Sequence, residues 1–179
     1  MFCYQCKTES LKPTKLDLGL PALRCEKCHG THLDLLTYRA WSEDNASSIE
    51  ADKQSDEPVV IDELTNTENA LICQHCHKFM LKYRINNEHN NTINVCHTCY
   101  DVWLDQGEWE LLKQLKIQDK LTEIMSEPWQ KDLREQAKEQ AVSEHYHQLL
   151  GDDFERVSEF GKWLDSHPKR AEIRSLLFA

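Results

Sequence analysis

Cys73-Gln74-His75-Cys76 and Cys96-His97-Thr98-Cys99 are separated by 19 residues, and Cys3-Tyr4-Gln5-Cys6 and Cys25-Glu26-Lys27-Cys28 by 18, so all eight cysteines fall in Cys-x-x-Cys pairs. Two thiolates held two residues apart can approach one ion from a tight knuckle, and 18 or 19 residues suffice for a hairpin that returns a second knuckle to the same ion. The spacing therefore predicts two tetrahedral four-thiolate sites. One is made by Cys3, Cys6, Cys25 and Cys28, the other by Cys73, Cys76, Cys96 and Cys99. Each is expected to hold one Zn2+, two ions in all.

A disulfide framework is the rival reading of an even cysteine count, but such frameworks belong to short secreted chains. The start, Met-Phe-Cys-Tyr-Gln-Cys, has no charged or apolar leader pattern, and no apolar run approaches the length of a membrane span. The expectation is a cytoplasmic protein whose thiols stay reduced. Tetrahedral thiolates also bind iron, as in rubredoxins, so metal identity is a chemical question. His29, His75, His77 and His97 sit beside the knuckles, yet four thiolates per site need no fifth ligand. An exchange of knuckles between sites, such as Cys3/Cys6 with Cys96/Cys99, is also open at this level, though closing the shorter loops costs less entropy.

An internal repeat extends beyond the ligands. Cys3 aligns with Cys73 and Cys6 with Cys76; after a one-residue shift Cys25 aligns with Cys96, Cys28 with Cys99, and Leu33-Asp34 with Leu104-Asp105. In the second repeat Phe79, Leu81, Tyr83 and Ile85 alternate with polar residues, and Ile93 and Val95 do so on the return, a period of two that predicts a hairpin. In the first, Leu16, Leu18 and Leu20 alternate, with Pro13, Gly19 and Pro21 marking an irregular or edge strand. Asp105-Gln106-Gly107-Glu108 has the form of a capping box, predicting a helix from there through Ile117 and Leu121 to Pro128. The matching helix of the first repeat, from Asp34 to about Trp41, is expected to be shorter.

The fold class expected is a small metal-stabilised α+β protein: two tandem four-cysteine zinc ribbons, each a β-hairpin plus a following helix, with an α-helical C-terminal region. The ribbons would span 1–41 and, with its helix, 73–125; residues 42–72 would form a flexible acidic linker with a short strand at Val59–Ile61, and 126–179 the helical region. The linker reading rests on composition, because 42–72 holds one Lys/Arg against nine Asp/Glu and little apolar content. In the C-terminal region a Ser126 cap precedes a helix ended by Gly151, a second helix covers about Asp153 to Asp165, and a third follows His167-Pro168.

At Cys96-His97-Thr98-Cys99-Tyr100-Asp101-Val102-Trp103-Leu104-Asp105-Gln106-Gly107-Glu108 the chain resembles the transcription factor IIB-type zinc ribbon family of small bacterial and archaeal proteins. The pattern there is Cys-x-x-Cys, two glycines, then x-Trp-Leu-Asp-x-Gly-Glu. Trp103, Leu104, Asp105, Gly107 and Glu108 match; Tyr100-Asp101 replace the glycines. In the first repeat Gly30, Leu33 and Asp34 fit, while His32 replaces the tryptophan. The resemblance implies structural zinc and, by the family's name, a role near nucleic acid or transcription.

Charge and site chemistry narrow the functional classes. The formal charge is −10, and eight thiolates with two zinc ions bring it to about −14. A nucleic-acid binder displaces counterions with Lys and Arg; here Lys78, Lys82 and Arg84, or Lys7, Lys12, Lys15, Arg24 and Lys27, form at most modest patches. A catalytic zinc needs an open position, and four thiolates leave none; no phosphate-binding glycine loop or hydrolase motif is present. The chain reads as a non-enzymatic protein-interaction module. The alternatives are a nucleic-acid-binding regulator and a rubredoxin-like iron electron carrier.

Overall fold

In the computed structural model, which describes residues 1–7, 9–55 and 58–178, the two repeats form one six-stranded antiparallel sheet. The strands are β1 (Lys12–Lys15), β2 (Pro21–Arg24), β3 (Thr31–Asp34), β4 (Leu81–Arg84), β5 (Thr92–Cys96) and β6 (Asp101–Leu104), in the order β1-β2-β3-β6-β5-β4. Each repeat supplies one half, and β3 and β6 join them, pairing Thr31 with Leu104, His32 with Trp103, Leu33 with Val102 and Asp34 with Asp101. The offset that aligns Leu33 with Leu104 also aligns His32 with Trp103. A local two-fold axis thus passes through that pair, and each repeat meets its own counterpart there.

The residues expected to form an alternating strand in the first repeat instead make its turn. Asp17–Gly19 is a 3-10 turn, with Leu18 and Gly19 at φ 49° and 77°, because a reversal this tight needs left-handed backbone. Pro13 lies in β1, at the sheet edge, where its missing N–H costs no ladder bond.

Alternation along the central strands sorts the two faces. Leu33, Ile93, Val95, Val102 and Leu104 point to one side, where they pack with Tyr38, Trp41, Ile49, Trp109, Leu111, Leu112, Leu121 and Ile124 from the helices. Trp103 points to the other, among Cys3, Cys25, Cys73, Cys96, Tyr4 and Met80.

Helix lengths depart from expectation. The first repeat's helix, α1 (Leu35–Asp44), has 10 residues. Asp34 starts it directly by accepting from the Thr37 amide at 2.7 Å, and Tyr38 anchors it by donating to the Gln118 carbonyl. After α2 (Ala46–Gln54), the second repeat's helix, α3 (Glu108–Gln114), has only seven. It stops because Lys116 takes φ 59°; Lys116 N–H then bonds the Lys113 carbonyl and Ile117 N–H that of Leu112, a Schellman ending. The chain resumes in α4 (Leu121–Ile124) and α5 (Glu127–Leu150).

The stretch 42–72 is not a flexible linker in the described residues. Its first part completes α1 and forms α2, whose Ile49 is buried in the core. No strand forms at Val59–Ile61; from Ile61 the chain runs as a strap over the second repeat, with Ile61 and Leu64 against the core and Thr67 and Leu71 buried. Composition misled because few apolar side chains suffice when backbone and hydroxyl groups find partners on a preformed surface. Residues 56 and 57 of this stretch lie outside the described residues.

The capping box forms in half. Glu108 reaches back to accept from Asp105 N–H at 2.9 Å, but the Asp105 carboxylate holds the strap instead, accepting from Thr67 N–H at 2.5 Å, Thr67 Oγ1 at 2.8 Å and Trp103 Nε1 at 2.9 Å. Gly107 makes the turn at φ 82°, so tightly that an added Cβ would lie 2.3 Å from the Glu63 carbonyl oxygen.

Contacts divide the chain into two compact units, Met1–Leu133 and Arg134–Ala179. The second comprises the end of α5, a 3-10 turn at Gly151–Asp153, α6 (Phe154–Ser166) and α7 (Arg170–Leu177). Leu164 is buried there, while Val157, Phe160, Trp163, Leu176 and Leu177 are exposed. No helix among the described residues is long and apolar enough to cross a membrane.

Gly107→Ala is expected to lower stability by about 2 kcal/mol or more, through positive φ and the carbonyl clash together, read as a lowered urea midpoint. Burial and the Asp105 charge push the fully buried Glu108 carboxyl from its ordinary 4.5 up to about 8. The folded chain then keeps a proton that the unfolded chain releases, so this contribution is complete below pH 4.5 and is lost as pH rises through 8. Urea midpoints at pH 5 and pH 8.5 should differ in that direction, with a smaller difference in Glu108→Gln.

Candidate metal centres

The four sulfurs of Cys3, Cys6, Cys25 and Cys28 lie within 4.8 Å of one another, as do those of Cys73, Cys76, Cys96 and Cys99. Knuckles therefore pair within each repeat, and the exchanged arrangement does not occur. None of the eight forms a disulfide. Each group has the same construction: the first cysteine of every knuckle is buried and the second partly exposed. The knuckles wrap the sulfurs in backbone donors, as where Cys6 N–H points to Cys3 Sγ at 3.2 Å. After each knuckle the chain turns through positive φ, at Lys7, His29, His77 and Tyr100, which folds it back over its own sulfurs.

The donor set fits a tetrahedral thiophilic ion such as Zn2+. Burial pushes the Cys3, Cys28 and Cys73 thiols up, and the Lys78 backbone amide draws Cys76 down to about 7. Four thiolates this close repel strongly, and a divalent cation at their centre removes that cost. Of the neighbouring histidines, His97 accompanies Tyr83 instead, its Nε2 lying 2.5 Å from the Tyr83 hydroxyl.

Between the two groups lies a polar cluster that spacing alone does not reveal. Asp101, buried at 3% exposure, accepts from Tyr4 Oη at 3.1 Å, His32 Nε2 at 3.0 Å, His75 Nδ1 at 2.8 Å and Cys73 Sγ at 3.2 Å. Burial alone would raise its carboxyl; the His32 and Cys73 hydrogen bonds, with the His32 and His75 charges, outweigh that and hold it at about 2. Gln74, inside the second repeat's first knuckle, donates to the Cys3 carbonyl at 3.2 Å and accepts from Phe2 N–H at 3.0 Å. The two knuckles thus touch directly.

The cluster follows from the two-fold axis. The repeats differ at two aligned positions: His32 stands where the other has Trp103, and Gly30 where it has Asp101. The Trp103 indole fills the space beside Gly30, where an added Cβ would come 2.2 Å from Cζ2. Across the axis the smaller His32 leaves room for the Asp101 carboxylate, which it binds. Tyr4 packs on both, its ring 5.8 Å from His32 and nearly parallel, and 5.3 Å from Trp103. A repeat alignment exposes both differences, but only strand register places them opposite one another.

The first unit also carries an open groove of about 600 Å³ lined by Asp17, Asp52, Trp109, Glu110, Lys113 and Lys116, among others. Its central polar groups pair with each other: Trp109 Nε1 and Lys113 Nζ both donate to Asp17, at 2.6 and 2.9 Å. In comparisons with family models, curated protein sequences and solved structures, nothing matches the chain.

Loss of the Tyr4 hydroxyl in Tyr4→Phe is expected to cost about 1 kcal/mol of unfolding free energy. Asp101→Asn, which loses the carboxylate facing His32 and His75, is expected to cost about 2–4 kcal/mol. Equilibrium urea unfolding followed by tryptophan fluorescence measures both.

Proposed function

We propose that the chain is a zinc-binding tandem zinc-ribbon protein of the transcription factor IIB-type kind, without catalytic activity, that serves as a protein-interaction module. The observation that carries this reading is the convergence of two complete four-cysteine groups. Four thiolates saturate a tetrahedral ion and leave no position for water or substrate, so such sites contribute folding energy in place of chemistry. The sheet couples this support to both repeats, because β3 and β6 tie one cysteine group to the other.

Interaction through protein surfaces is favoured by the charge and by the second unit. A formal charge of −10 opposes phosphate backbones, and the basic side chains of the hairpins are partly engaged. Lys12 pairs with Glu26 at 2.7 Å, Lys82 donates to the Thr67 carbonyl, and Arg84 bonds Asn90 at 3.2 Å. The exposed Val157, Phe160, Trp163, Leu176 and Leu177 side chains on α6 and α7 supply apolar surface of the kind that partners cover.

Metal analysis of protein purified from its native host should find zinc and no iron; a coloured, iron-loaded protein would turn the reading towards electron transfer. Cys96→Ser should lose one ion and keep the first group's. Excess chelator should abolish amide protection in β2 through β6, since structural zinc supplies roughly 10–16 kcal/mol in small domains. Affinity capture from the host should recover a protein partner that Trp163→Ser releases. Recovery of nucleic acid with no protein would replace this reading with the nucleic-acid one.

A further inference from the structure

We propose that His75 and Asp101 hold an additional divalent ion beside the second cysteine group, with Cys73 and Cys99 bridging the two ions. This inference rests on the reading of that group as a zinc site. The ligand atoms of Cys73, His75, Cys99 and Asp101 lie within 4.8 Å of one another. Two of the four sulfurs belong to both sets, which is the arrangement of a thiolate-bridged pair.

The contact between Cys73 and Asp101 favours a second ion. An ion on Cys73, Cys76, Cys96 and Cys99 takes Cys73 as thiolate, so the proton that Cys73 shares with Asp101 Oδ2 at 3.2 Å is gone. Thiolate and carboxylate then face each other at a buried position, a costly arrangement. A cation bound by both atoms converts that repulsion into two bonds. Before any charge on His32 or His75 is counted, four thiolates, one carboxylate and one divalent ion sum to −3, and a second ion brings the sum to −1. His75 completes the set with Nδ1, 2.8 Å from the same Asp101 oxygen. An ion at this place takes the Nδ1 lone pair of the imidazole, whose proton then sits on Nε2, together with an Asp101 carboxylate oxygen. Two sulfurs, one nitrogen and one oxygen suit Zn2+, Co2+ or Cd2+.

The first repeat is an internal control. It assembles its own four-cysteine group with Gln5 where the second has His75 and Gly30 where the second has Asp101. Neither His75 nor Asp101 is therefore needed to build a four-cysteine site, and the second repeat carries them in addition. The surroundings prepare the carboxylate as well: His32 Nε2 at 3.0 Å and Tyr4 Oη at 3.1 Å orient it, as outer partners orient metal ligands. The His75 side chain is half-exposed, giving an ion a path from solvent.

Full-length reduced apoprotein titrated with Co2+ and counted by native mass spectrometry should bind three ions, and His75→Gln, which installs the first repeat's residue, should bind two. The third Co2+ should also diminish the paramagnetic resonance signal of its neighbour, because bridging thiolates couple the two spins. A wild-type count of two leaves the four-cysteine reading standing and overturns the bridged site. A count below two overturns both. A third ion retained undiminished in His75→Gln places it elsewhere and overturns the inference.

Discussion

The pairing of β3 with β6 is the constraint on which the rest of the first unit depends. Four backbone positions on each strand join two hairpins into one sheet, and that sheet is what gives each repeat a core. A unit of about 40 residues buries too little apolar surface to hold its fold unaided. Here Leu33, Val102 and Leu104 from both repeats share one helical layer with Tyr38, Trp41 and Trp109. The same pairing brings the two cysteine groups onto the opposite face, around Trp103 and Tyr4. Neither repeat has this surrounding by itself.

Near-symmetry about the His32–Trp103 pair explains where the repeats diverge. A large ring on one side requires glycine opposite it, and a small ring on the other admits a carboxylate. The two substitutions make one volume exchange across the axis, of the kind close-packed interiors enforce. Polar consequences follow from the steric one. A buried carboxylate needs donors, and Tyr4, His32, His75 and Cys73 supply them from both repeats. The region between the cysteine groups is therefore polar, paired and shared, with Asp101 and Gln74 each bonded to groups of the first repeat.

The strap that crosses the second repeat shows a different principle. It is acidic and poor in apolar residues, features that in isolation signal a mobile linker. Thr65, Thr67 and Leu71 nonetheless dock, because Asp105, Asn91, Lys82 and the Met80 amide offer acceptors and donors at matched positions. Ordering such a segment costs conformational entropy, and buried hydrogen bonds to a surface that exists already offset it. Asp105 is consequently withdrawn from the capping role its spacing suggested and becomes the junction of strap, Trp103 and helix.

Read alone, the chain of residues determined the eight cysteines as two groups of four, the hairpin of the second repeat, the internal duplication and the helical pattern after Ser126. These are legible because ligand spacing and strand or helix period are local, set by a few bonds and by backbone geometry. Tertiary structure alone decided that the halves share one sheet, that the acidic stretch is ordered in its described residues, that the second repeat's helix stops at Gln114, and that Asp101 collects donors from both repeats. Each of these depends on which groups meet across long separations, as Tyr4 meets Asp101 97 residues on. Such meetings are settled by register and packing, which no local pattern encodes.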